Sequence, residues 1–272
     1  MNEIKSSNTL EEKLREFTPK QKKLIFSNLG SMQLTEGCSI GCIDCGFNAK
    51  KGIRDYIPAE VILNIFSKIP KPAAHLMCLY YASDPFDYDF DGMNYVNIHK
   101  KAEEMLEKRI YVSTSIPKGK EQLIFNLLKK TSSNIVNRIS LTKFNYKRIE
   151  NALSEFNFVK NKPQFQSNLD TFVRSNRIST RILDFYNDIN RYKIGDKNKD
   201  SLGEIGIGCY NGTLLTPKGV FNLRTVPISR ENTIGQKLTE ISPSNFEVIK
   251  YSEMSLFELY HDFCEKPLFY LE

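Results

Sequence analysis

The sequence predicts an α/β fold in which a parallel sheet is covered by helices, and three observations carry that expectation. Apolar, strand-like stretches alternate with amphipathic helical stretches from residue 31 to residue 156. Right-handed crossovers between such units favour a curved sheet or barrel. At 272 residues the chain is long enough for one large domain, or for a domain of about 200 residues with a small appendix.

Two helices open the chain, because Thr9 with Glu12, and Thr18 with Pro19 and Gln21, match capping boxes, the second with proline at the first helical position. Residues 28–30 end the pair. A strand over 31–36 runs into a glycine-punctuated loop at 37–46, and a helix over 58–69 sets Val61, Ile62, Ile65 and Phe66 on one face. The alternation continues with strands at 75–82, 109–115 and 135–142 and helices near 95–108, 120–130 and 146–156. Polar runs at 160–167 and 196–200 flank one further helix expected near 181–191. After Ser201 the pattern turns to short β segments at 203–210, 213–215 and 220–223. The last two are joined by Thr216-Pro217-Lys218-Gly219, whose proline and glycine suit a type I turn and a hairpin. A final helix is expected over 255–263.

Composition narrows the class. Hydrophobic residues make up 40% and charged residues 26%, which excludes the charge-rich, apolar-poor signature of disorder. Residues 1–9 are polar and lack the core of a signal peptide, and no stretch approaches the roughly 18 apolar residues of a membrane span, so a cytoplasmic protein without membrane contact is expected. The formal charge of +6 is scattered. It reads as solvated surface rather than a nucleic-acid footprint, since no basic stripe interleaved with aromatics stands out.

Three of the six cysteines crowd into eight positions as Cys38-x3-Cys42-x2-Cys45, set among Gly37, Gly41 and Gly46. Glycines let the backbone curl so that several thiolates converge on one centre. Three thiolates on a four-iron cluster leave one iron open to the amino and carboxylate groups of a small molecule. The competing reading is zinc, which asks for a fourth ligand from Cys78, Cys209, Cys264, His75, His99 or His261; none stands at a finger-like spacing.

At these residues the chain resembles the radical S-adenosylmethionine superfamily, whose signature is this same loop after the first strand of a partial TIM barrel. The resemblance covers roughly the first 150 residues. It implies a partial (β/α)6 TIM-like barrel over residues 31–200, preceded by a helical segment at 1–30 and followed by a small α+β extension at 201–272. It also implies that Cys38, Cys42 and Cys45 ligate a [4Fe–4S] cluster. The reduced cluster, fed by a reductant such as flavodoxin or ferredoxin, passes an electron to S-adenosylmethionine. Methionine is released with a 5′-deoxyadenosyl radical, which abstracts hydrogen from a substrate.

Where the family places an aromatic residue before the third cysteine this chain has Asp44, and Phe47 is the alternative adenine contact. Tyr81-Ala82-Ser83-Asp84-Pro85 resembles a Ser-Asp/Glu-Pro form of the family's motif at the end of strand two. Ala82, Ser83 and Asp84 would then bind the methionine amino group; the alternative is an ordinary Asp-Pro turn. Ser113 and Ser140, at the ends of strands three and four, are candidates for the ribose and carboxylate, or for helix caps. Arg148, Arg174, Arg177 and Arg181 compete to pair with that carboxylate. Tyr80, Tyr81 and Tyr88 bracket the acidic motif.

Cys209-Tyr210-Asn211-Gly212 and Pro217-Lys218-Gly219-Val220 resemble the opening of a SPASM/twitch-like extension whose auxiliary-cluster cysteines are missing here. The expected substrate is a peptide or natural-product precursor. A nucleoside, sugar or other metabolite is the alternative substrate, and a non-catalytic zinc or iron–sulfur module is the alternative class.

Overall fold

The computed structural model of the chain describes residues 9–41, 49–71, 76, 78–110, 112–124, 137–142, 145–155, 179–183, 212–227 and 234–248. The opening helices are α1 (Thr9–Glu16) and α2 (Pro19–Ser27). The start of α2 follows from local chemistry. Thr18 accepts from the Gln21 amide, the Gln21 side chain reaches back to the Thr18 N–H at 2.9 Å, and Pro19 occupies a position whose N–H needs no partner.

The expected strand over 31–36 is two elements, β1 (Leu29–Met32) and β2 (Thr35–Glu36). They are separated at Gln33, a buried amide that bridges three segments. Its N–H donates to the Leu215 carbonyl at 2.7 Å, its side-chain NH2 to the Thr35 carbonyl at 2.8 Å, and its side-chain oxygen accepts from the Ala82 N–H at 3.0 Å. Next come β3 (Asp55–Tyr56), which pairs antiparallel with β2, and α3 (Ala59–Phe66), whose Val61, Ile62, Ile65 and Phe66 are buried as the 3.6-residue period predicts.

Cys78 forms a parallel bridge to Ser31, so the segment ending at Tyr81 runs beside β1 in the same direction. A hairpin, β4 (Asp89–Phe90) and β5 (Met93–Asn94), lies where no element was expected. Asp91 and Gly92 both have left-handed φ, 51° and 72°, and such an Asp-Gly pair is the local signal for a tight hairpin. Then follow α4 (Tyr95–Leu106), β6 (Val112–Thr114), a helical start at 121–124, β7 (Asn137–Thr142), α5 (Tyr146–Glu155) and β8 (Ser179–Leu183).

Strands β6, β7 and β8 form a parallel sheet in that order, with Thr114 opposite Ile139 and Ser140 opposite Arg181. The helix expected near 181–191 is corrected at its start. Residues 179–183 extend the parallel sheet, because ladder bonds to β7 override a weak helical pattern. The expected segments at 203–210 and 255–263 lie outside the described residues.

The hairpin is formed by β9 (Gly212–Thr216) and β10 (Gly219–Pro227), around the expected Pro217-Lys218 turn, and β11 (Ile234–Glu240) continues it. β9 also pairs in parallel with β1, giving a four-stranded sheet in the order β1-β9-β10-β11. The expected barrel start and the expected extension therefore share one sheet.

Successive residues of β9 face opposite sides. Leu215 enters the main core with Leu10, Leu29, Ile62, Phe66 and Ile98, whereas Leu214 joins a smaller cluster with Cys78, Tyr80, Tyr81 and Leu223. Among the described residues no helix is long and apolar enough to cross a membrane.

Candidate functional site

The base of the cysteine loop is closed by backbone bonds on both flanks. β2 pairs with β3, the Arg54 N–H donates to the Glu36 carbonyl, the Cys38 N–H to Lys50 at 2.9 Å, and the Gly52 N–H to Cys38 at 2.8 Å. Residues 35–38 and 50–56 thus form one stem. Gly37 is required there: its φ is 88°, and a Cβ would collide with the Gly52 carbonyl. Cys42, Cys45 and Phe47 lie outside the described residues.

Cys38 is buried, at 9% exposed, and its sulfur is faced by the backbone N–H groups of Ile40 and Asp84. Burial, reinforced by the nearby Asp84 and Asp87 carboxylates, pushes its thiol up to about 12, against those two N–H donors. As a thiol the group is satisfied, since its proton goes to Asp87, two amides face its sulfur, and burial favours the protonated form. The same two amides would serve as outer-shell donors to a thiolate on iron, where the metal would supply the positive charge that the burial of a thiolate requires. The donor chemistry at Cys38 therefore fits a cluster ligand.

Asp84 and Asp87 stand at the two ends of a 3-10 turn, Pro85–Asp87, held over α4 by Phe86 against Tyr95 with ring centroids 5.0 Å apart. The Asp84 carboxylate points into the protein. It accepts from the Thr114 hydroxyl at 2.8 and 2.9 Å, from the Ser115 N–H at 2.8 Å, and from the Phe86 N–H at 3.1 Å. Burial, then the Asp87 charge, raise its pKa to about 7 against those three donors. The side chain expected beside a methionine ammonium is thus committed to fastening the end of β6, while the Asp84 N–H reaches the cysteine.

Asp87 faces the other way. Its carboxylate accepts the Ser39 N–H at 2.8 Å, and the Ser39 hydroxyl and Cys38 thiol also donate to it. Burial raises its pKa, and these bonds and the Lys120 charge oppose the rise.

The loop after β6 is shaped from three sides. The Ser115 N–H meets Asp84, the Ser115 carbonyl accepts from Asn145 at 2.9 Å, the Ile116 N–H donates to the Thr114 hydroxyl at 2.8 Å, and the Ile116 carbonyl accepts from Arg148. These bonds hold Ile116 at φ 57°, a left-handed conformation that strains a β-branched residue and persists only where its surroundings over-determine it. Arg148 is also paired with Glu121, so it serves this loop.

The structure brings Cys38, beyond β1 and β2, together with Asp84, 46 positions later, after the segment that runs parallel to β1, and through Asp84 with the C-terminal end of β6. Ala82 and Ser83 are half-buried beside them, the Ala82 N–H held by Gln33. Ser113 is half-buried on β6 and Ser140 lies on the neighbouring β7.

Cys78 is a buried thiol, raised to about 11 by burial, that donates to the Tyr80 carbonyl. The Tyr88 hydroxyl donates to the Ile57 carbonyl in the core. Asp87, Ser39 and Gln33 were not anticipated, and Thr114 was not separated from Ser113 among the hydroxyls at the end of strand three; a second acid three residues after Asp84, on the far side of a proline turn, was the available signal for Asp87. No protein-family model, curated protein or solved structure matches the chain.

Proposed function

We propose that this chain is a radical S-adenosylmethionine enzyme built on a partial barrel, with Cys38, Cys42 and Cys45 as ligands of one [4Fe–4S] cluster. The observation that carries the reading is the environment of Cys38: a buried sulfur addressed by two backbone N–H groups, at the base of a Cys-x3-Cys-x2-Cys loop, beside the turn that follows the segment parallel to β1. When bound, the cluster supplies one electron to the sulfonium of S-adenosylmethionine.

The protein's own part is positioning. Ile40 and Asp84 orient the Cys38 sulfur through their N–H groups. Asp84 fastens the Thr114-Ser115 end of β6 opposite it, and the strained Ile116 turn keeps Ser113 and Ser115 at the same mouth. Burial of the stem keeps water from the sulfur. A peptide or other small natural product is the proposed substrate class.

The test is anaerobic reconstitution of the full chain with ferrous iron and sulfide, followed by S-adenosylmethionine and a strong reductant. The expected result is a brown protein with the iron–sulfur charge-transfer band that yields 5′-deoxyadenosine, and a Cys38→Ala variant that loses both. A cluster-loaded wild type that yields no 5′-deoxyadenosine overturns the reading.

A further inference from the structure

We infer that Asp87 is a positioning residue for the iron–sulfur site, suspending the start of the cysteine loop from the turn that Asp84 anchors to β6; this rests on the cluster reading above. The argument begins with connectivity. Ser39 lies between the stem, which closes at Cys38, and the part of the loop that carries the other two cysteines. Its N–H points away from the stem to the Asp87 carboxylate at 2.8 Å, and its hydroxyl goes to the same acceptor. Without that acceptor the Ser39 N–H and hydroxyl lose their shared partner, and the chain just beyond Cys38 loses the bonds that tie it to the 84–87 turn.

The two ends of the turn act as one device. Asp84 is tied by three donors to the end of β6 and to its own turn, so Asp87 projects from a fixed base; Phe86 between them is fully buried against Tyr95. From that base the Asp84 N–H meets the Cys38 sulfur and the Asp87 carboxylate meets the next residue. When Cys38 gives its proton up to ligation, Asp87 loses the thiol as a donor and keeps both Ser39 donors. Asp87 therefore acts through the loop and need not touch the metal. Partners of this outer-shell kind are those whose removal weakens metal retention while leaving the ligand set intact.

The experiment compares wild type, Asp87→Ala and Asp87→Asn in the full chain after anaerobic reconstitution with ferrous iron and sulfide. It measures iron per chain, the rate at which a chelator strips it, and the melting temperature of the unloaded proteins. Asp87→Ala is expected to lose iron about tenfold faster or more. Asp87→Asn, whose side-chain oxygen still accepts the Ser39 N–H, is expected to return most of the retention. A merely structural role would move melting temperature and iron loss together and would not distinguish the two variants.

Should Asp87→Ala fail to fold, Asp87→Glu replaces it, since one added methylene displaces the acceptor and carries the same expectation. Wild-type retention in the disruptive variant, or no recovery in Asp87→Asn, overturns the inference while leaving the functional reading intact. A wild-type chain that takes up no cluster overturns both.

Discussion

The C-terminal hairpin and the acidic turn both meet the region around β1, and they do so by different means. β9 joins β1 through backbone pairing, Leu29 with Thr213, Ser31 with Leu214 and Met32 with Leu215, and the apolar side chains of Leu215 and Val220 are buried behind it. The mouth is held instead by individual polar side chains reaching between segments: Gln33 to Ala82, Asp84 to Thr114 and Ser115, Asp87 to Ser39, Asn145 and Arg148 to the loop after β6. A ladder made by the backbone spreads its contribution over many residues and tolerates most side chains. A mouth hung on a few acceptors concentrates it, so single substitutions there are felt strongly.

The largest effect is therefore expected at Asp84. Asp84→Ala leaves a buried hydroxyl and two backbone N–H groups without their acceptor and releases the strained Ile116 turn, at a cost of about 3 kcal/mol by denaturant unfolding. Thr114→Ser keeps the hydroxyl and should cost only about 1 kcal/mol, for the buried methyl it removes. An Asp84→Ala protein as stable as wild type would show that the mouth is held by something else.

An intermediate effect is expected from acid, acting on the helix beneath the turn. His99 is fully buried on α4, its Nε2 donating to the Ile110 carbonyl at 3.2 Å, with Glu103 and the Tyr95 ring facing it. Burial holds the imidazole below its ordinary range, against the pull of Glu103 and the Ile110 carbonyl. Below about pH 6.5 the unfolded chain takes up a proton that the native chain still refuses, so stability falls as pH drops through that value towards the lowered native one. The slope reaches at most about 1.4 kcal/mol per pH unit. Asp84 and Asp87, whose native pKa values are raised, act in the opposite sense over the same range, so the His99 contribution is read as a difference: between about pH 7 and pH 5, unfolding curves should show wild type losing stability relative to His99→Gln. Equal slopes would remove His99 as the source.

The smallest effect belongs to the seam between the two regions. Lys218, in the hairpin turn, pairs with Glu36 beside the cysteine loop at 2.6 Å, and its side chain is 54% exposed. Lys218→Ala should cost about 0.5 kcal/mol or less. A larger loss would mean that the hairpin and the mouth are coupled more tightly than their backbone pairing requires.

What could be read from the chain alone is what depends on neighbours in sequence. Thr18-Pro19 and Gln21 announce α2, the period of Val61, Ile62, Ile65 and Phe66 announces α3, and Pro217 to Gly219 announces the hairpin, because caps, helix faces and turns are settled within a few residues. The Asp91-Gly92 hairpin carried an equally local signal. Cys38 and the Ser83-Asp84-Pro85 motif were likewise singled out by local pattern, and the fold brings these two together.

The tasks of the residues there were decided only by the fold. Asp84 reads as a ligand group until Thr114, 30 residues on, occupies its oxygens, and Asp87 acquires its role only when Ser39, 48 residues earlier, is brought against it. A carboxylate has the same acceptor capacity wherever it stands. Which donors it meets depends on segments that the parallel sheet brings side by side, and the same long-range pairing set β9 beside β1 and made a strand of residues 179–183.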